Sequence, residues 1–257
     1  MTSVLRVGEG HSGAPAGCAG KRDGPARRRR WAVGAIPLIV TLAGLMAFAL
    51  ARPVTVAPRL RAVPPFQLVD HNGQAVTHRD LLGSAVLYSF FPADPTDPVA
   101  REAVASLVRL SRKLQPSGPP GEPATAVAQQ PLRLVTITVA PEQDTPQRLA
   151  AFIREQPPIP GWRWLTGSPV ALKVTVGSGF GVFYASPGPD RPPERPYYET
   201  RFTLVDSRGI IRAEYPGARL DEGRVIRDLE LVRREEQAAG VTRLVYEAAH
   251  RFLCYPR

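Results

Sequence analysis

The residues best placed for chemistry are Asp94-Pro95-Thr96-Asp97-Pro98. They follow an apolar run, Ala85 to Phe91, that reads as a buried strand, and precede an amphipathic run, Val99 to Leu114, that reads as a helix. A strand feeding a helix N-terminus is a common place for reactive groups, because exposed backbone N–H groups and the helix dipole favour an anion or thiolate there. Here the turn holds no cysteine, serine or histidine. Asp97 as N-cap with Pro98 in the first helical position explains both residues structurally. A helix starting at Asp94 would put Pro98 inside it, against the Asp94 carbonyl. Asp94 and Asp97 lie at i, i+3, and with Glu199 and His71 they are the residues an altered metal site would draw on; such carboxylates are more often caps or surface charges. His71 lies in an Asp70-His71-Asn72-Gly73 turn, where a lone histidine is mostly a solvated turn residue.

Other chemistries find less support. The two cysteines, Cys18 and Cys254, form no C-x-x-C pair and no zinc set. A single-thiol redox role for Cys254 would lack a resolving partner. Gly177-Ser178-Gly179-Phe180-Gly181 is neither a phosphate loop nor a dinucleotide fingerprint, and no hydrolase elbow or H-E-x-x-H occurs. No catalytic, cofactor-binding or metal residue is assigned, and the chain is not expected to be an enzyme.

The elements that position the turn follow in order. Phe66–Val69 and Gln74–Thr77 flank the Asn-Gly turn as a hairpin. Arg79–Gly83 reads as one helical turn. After the first strand and helix, Leu132–Val139 reads as a second strand and Thr145–Glu155 as a helix, capped by Thr145 with Pro146 first. Trp162–Thr166 reads as a short strand, and Ser168-Pro169 opens a helix towards Val176. Thr200–Val205 and Ile210–Tyr215 pair as a hairpin about Asp206–Gly209. A helix runs from about Asp221 to Val232, with a further amphipathic segment over Arg234–Leu253. This order predicts an α/β sandwich with helices on both faces. Pro/Gly-rich stretches near 115–131 and 186–196 read as surface insertions.

Before this domain, which is placed at 66–257, come three other segments. Residues 1–30 are basic and Gly-rich and read as a disordered tail. Residues 31–51 are uncharged and long enough to span a bilayer of about 30 Å. The arginines at 27–30 place the N-terminus in the cytoplasm and the domain on the extracytoplasmic side of a single-pass membrane protein. Ala49-Leu50-Ala51 also fits a signal-peptide cleavage site, but the apolar core exceeds the usual length of about 7–15 residues, which favours an anchor. Residues 52–65 read as a Pro-rich tether. The chain has 257 residues and a net charge of +10. Half of that charge lies in residues 1–51, leaving an ordinary balance for the domain and no nucleic-acid stripe.

Several of these segments resemble the Sco/SenC family of membrane-anchored, thioredoxin-like proteins of respiratory oxidase assembly. They are Phe66-Gln67-Leu68-Val69-Asp70 with Asn72-Gly73, Val86–Phe91, Val139-Ala140-Pro141-Glu142-Gln143-Asp144-Thr145-Pro146, Trp162–Ser168, Gly179-Phe180-Gly181 and Thr200–Asp206. The resemblance implies a thioredoxin-like sandwich with an N-terminal hairpin, preceded by one transmembrane helix. In the family, copper is held by a C-x-x-x-C pair and a histidine, and soft thiolates suit Cu(I). Aligned through Phe90-Phe91 and Phe202–Asp206, those positions fall on Asp94, Pro98 and Tyr198. Proline offers no donor, a lone carboxylate is a hard ligand, and a phenol of pKa about 10 is a weak one at neutral pH. The expectation is therefore a non-catalytic scaffold or accessory factor in cytochrome c oxidase assembly that has lost the copper ligands, with no cofactor of its own. Expected partners are the membrane, through the N-terminal helix, and oxidase subunits or assembly factors.

Overall fold

The computed structural model describes residues 37–44, 46, 55–115, 132–185 and 197–252. Two compact units are distinguished, 1–51 and 52–257. In the first, residues 37–44 and 46 are helical. Among the described residues no helix is long and apolar enough to cross a membrane; most of the expected span over 31–51 lies outside them, as do the basic tail, nearly all of the insertion near 115–131, all of that at 186–196, and both cysteines.

The second unit is built on an eight-stranded sheet. Its strands are β1 (Arg61–Ala62), β2 (Gln67–Asp70), β3 (Ala75–Thr77), β4 (Val86–Phe90), β5 (Arg133–Ile137), β6 (Arg163–Thr166), β9 (Arg201–Val205) and β10 (Ile210–Pro216), in the order β1-β10-β9-β4-β5-β6-β2-β3. A separate two-stranded ribbon pairs β7 (Tyr184–Ala185) with β8 (Tyr197–Tyr198). β4 runs parallel to β5, and β5 to β6, while β9 lies antiparallel on the other side of β4. Layers packed on both faces of the sheet leave β4 buried at every residue, which is why Val86–Phe90 reads as a continuous apolar run.

Alternation along the strands divides the core in two. Leu87, Leu134, Trp164, Phe202 and Leu204 face helices α1 (Pro98–Leu114), α2 (Pro146–Glu155) and α4 (Glu222–Gln237). Val86, Tyr88, Phe90, Val135, Ile137 and Leu165 face the opposite layer, made by a 3₁₀ turn (His78–Leu81) and by α3 (Pro169–Leu172), which continues as a π-helical stretch over Lys173–Gly179. Ser89 and Thr136 are the buried polar exceptions in β4 and β5. Their hydroxyls bond each other at 2.8 Å, and Trp162 Nε1 donates to Thr136 at 2.9 Å, so the buried groups are satisfied within the layer.

The capping pattern is as expected. Asp97, Thr145 and Ser168 each accept a backbone N–H of the helix they open, and each is followed by proline at the first position. Two expectations need correction. The stretch 52–65, read as a tether, is largely docked where it is described: Ala57 is buried, β1 pairs with β10, and Val63 N donates to Gly209 O at 2.8 Å. The amphipathic tail read as Arg234–Leu253 does not start there. α4 continues to Gln237, and a separate helix, α5 (Gly240–Phe252), begins at Gly240, whose φ of +56° breaks the helical path.

Candidate functional site

The turn after β4 is held from both ends. Asp144, at the mouth of α2, is 1% exposed. Its carboxylate accepts from Ala93 N at 2.9 Å and from the Thr138 hydroxyl, and Arg148 approaches at 3.7 Å. Burial pushes the Asp144 carboxyl above its ordinary range, against the pull of those hydrogen bonds. At the far end, Asp97 is 4% exposed and uses its two oxygens differently. Oδ1 accepts Val99 N at 2.9 Å as the α1 cap, and Oδ2 accepts the Tyr198 hydroxyl at 2.5 Å. Asp94 folds back on the turn, accepting from Thr96 N at 2.8 Å and from the Thr96 hydroxyl at 2.7 Å.

Two regions distant in sequence thus meet. The turn carries Asp94 and Pro98, and the β7–β8 ribbon brings Tyr198 against Asp97. Burial first, and then the hydrogen bond to the Asp97 carboxylate, raise the Tyr198 phenol well above its ordinary value. It is a hydrogen-bond donor at neutral pH and does not supply an anionic oxygen. Pro98 contributes no donor, and both nearby carboxylates are hard ligands already accepting protein hydrogen bonds. This donor set does not fit Cu(I), which prefers thiolates and thioethers. Among the described residues, no group of three or more histidine, cysteine, aspartate or glutamate side chains is arranged to hold a metal ion.

The remaining candidates lie elsewhere or are otherwise engaged. His71 sits beside the start of β6: its N–H donates to Trp164 O at 3.0 Å and its Nδ1 accepts Trp164 N at 3.3 Å. By register Trp164 stands level with Thr136 of β5 and Ser89 of β4, so His71 is set apart from the turn by the width of β5 and β6. Glu199 is exposed and lies 3.8 Å from Arg201. Cys254 falls outside the described residues. Sequence reading found Asp97 as a cap but missed its pairing with Tyr198 and the clamp formed by Asp144. The Asp144-Thr145-Pro146 spacing carried a signal for the second, since it places an acidic side chain beside a capped helix start.

Comparison with known proteins agrees with this frame. The SCO1/SenC family model matches residues 55–233. The zebrafish (Danio rerio) protein named SCO2 homolog, mitochondrial, is 35% identical over 127 residues, 48% of this chain; the match spans only 39% of that relative's length. Among solved structures, BsSco, described as a member of the Sco family of cytochrome c oxidase assembly proteins, superposes with a TM-score of 0.56 at 22% identity, covering 70% of this chain and 98% of that one. Yeast Sco1 with copper bound also gives 0.56, at 17% identity, covering 77% and 100%. At these identities the structures speak for the thioredoxin-like α/β fold alone. With a family model matching well over half of its length, on a sheet that brings the turn and the β7–β8 ribbon together, the chain belongs to the SCO1/SenC family.

Proposed function

We propose that this chain is a membrane-anchored, extracytoplasmic Sco/SenC-type protein that serves cytochrome c oxidase assembly as a non-catalytic scaffold or accessory factor, without the family's copper ligands. The observation that carries this reading is the bond from Tyr198 to Asp97. It joins the two regions whose family counterparts would meet through a metal, and it does so with groups that need none. The family membership supports the setting of oxidase assembly, and oxidase subunits or other assembly factors are the partners. The uncharged run over 31–51 behind four arginines supports the anchor.

The test is copper and zinc stoichiometry of the full chain purified in detergent, beside Asp94→Ala and a triple variant, Asp94→Cys with Pro98→Cys and Tyr198→His. The wild type is expected to carry no more metal than an unrelated control, and the triple variant to gain one Cu(I). One tightly bound copper in the wild type, lost in Asp94→Ala, would overturn the scaffold reading in favour of a copper chaperone with oxygen ligands. Affinity capture of the wild type from respiring cells should recover oxidase components. Their absence, with metal also absent, would remove the assembly role.

A further inference from the structure

Helix α5 lies beyond the residues matched by the family model, and its two sides differ in character. The inner side is docked. Glu247 accepts from Arg59 at 2.9 Å, His250 Nε2 lies 3.0 Å from Glu235, and Ala249 is fully buried. The outer side carries Val241 and Leu244, 76% and 68% exposed, with Ala248 on the same stripe by helical spacing. Arg243 and Arg251 border it as exposed cations, and Glu247 between them is neutralised by Arg59. A cavity of about 230 Å³ opens at the foot of the helix, lined by Arg59, Arg208, Arg243 and Tyr246 among others. Three glutamates also face it, but each is already engaged: Glu235 with Arg212, Arg59 and, at 3.4 Å, Arg208, Glu247 with Arg59, and Glu236 with the Ser207 amide and hydroxyl. Among the described residues Arg243 has no ion-pair partner.

We propose that α5 seats the domain on an anionic phospholipid surface, with the Val241–Leu244 stripe in the acyl boundary and a lipid phosphate taken by Arg243 and Arg208. An exposed apolar helical stripe bordered by arginines is the signature of interfacial binding, and each basic side chain near an anionic leaflet adds to the attraction. Chain length argues for a bilayer over a protein partner. Seven residues, 52–58, separate the uncharged run 31–51 from Arg59, which is bonded to α5. Fully extended they reach at most about 25 Å, so a bilayer holding that run comes within reach of the helix. The inference rests on reading 31–51 as the anchor. It has a consequence for the site. Ser207 and Arg208 lie where β4 begins, since Val86 pairs with Val205 and Gly83 N donates to Ser207 O, whereas the Asp94–Pro98 turn follows the other end of β4. The strand separates them by roughly 17 Å at ~3.3 Å per residue, so a domain seated on α5 presents the turn away from the lipid.

The test uses the full chain in proteoliposomes, with Cys18→Ser and Cys254→Ser, and an environment-sensitive fluorophore on Leu244→Cys or, as control, on Val99→Cys at the turn. In vesicles containing phosphatidylglycerol, doxyl-labelled lipid is expected to quench the probe at position 244 several-fold more than at 99. The difference should fall in pure phosphatidylcholine and in the Arg208→Glu/Arg243→Glu variant. Equal quenching at both positions, or none at 244, overturns the proposal, and quenching that survives both changes removes the phosphate contact from it. Extraction of the chain by alkaline wash would sink the anchor reading separately, because quenching at 244 is read before the wash.

Discussion

Asp97 shows how much of the site rests on single side chains. One carboxylate caps α1 and anchors Tyr198, and its pocket leaves it almost no access to water to replace a lost partner. Tyr198→Phe keeps the ring and removes only the donor. It should lower stability by about 1–3 kcal/mol, the cost of leaving a buried acceptor unsatisfied, and move the urea midpoint without changing the slope of the transition. An unchanged midpoint would mean that the two groups meet without holding the turn and the ribbon together. Asp97 was legible in the sequence because a cap is local: an aspartate, a proline and an amphipathic run suffice. Its partner was not, because Tyr198 stands 101 residues away. Asp144 was half legible, its motif visible and its contact with Ala93 N hidden.

The same division holds for the elements. Helix starts and strand cores were readable where local rules decide them, at Asp97-Pro98, Thr145-Pro146 and Ser168-Pro169, and over the apolar runs of β4 and β5. The docking of residues 57–64 was not, because prolines and arginines in a row carry no period and the contacts that fix them come from β10 and the π-helical stretch. Gly179 is the position where that docking is most exposed to change. A Cβ there would come within 2.5 Å of Pro64 Cγ and 2.6 Å of Pro64 Cβ, far inside contact distance, and neither ring atom belongs to a long flexible chain. Gly179→Ala should therefore push the segment off the π-helical stretch. Amide hydrogen exchange reads this directly: Leu60 and Val63, which donate to Ile211 O and Gly209 O, should exchange faster, while β4 and β5 keep their protection. Unaltered exchange at those two amides would show that the close approach is relieved without undocking.

Across the second unit, residues 57–59 and the two C-terminal helices are tied at one buried group. Arg212 is fully buried. It donates to the carbonyls of Ala57 and Pro58, to Asp206 in the hairpin turn and to Glu235 in α4. Glu235 also receives Arg59 at 2.6 Å and lies against His250 of α5. Pairs spanning up to 176 residues cannot be read from spacing, and nothing in Arg212's own strand marks it as buried. The cluster has a measurable signature. Burial alone would push the Glu235 carboxyl up, but hydrogen bonds from Arg212, Arg59 and His250 outweigh it and hold the carboxyl at about 2. A carboxyl depressed on folding stabilises the protein above its unfolded value of 4.5 and loses that contribution as pH falls towards 2. Asp144, raised by burial, acts in the opposite sense and weakens the fold as pH rises past its unfolded value, so total stability against pH mixes the two. Comparing wild type with Glu235→Gln isolates the first. The variant should be less stable at pH 7 by on the order of 3 kcal/mol, the scale for breaking a buried ion pair, and the gap should stay level down to about pH 5 and then close as pH falls towards 2. A gap that remained constant over that acid range would mean that the Glu235 charge is not what joins the strap, the hairpin and the two C-terminal helices.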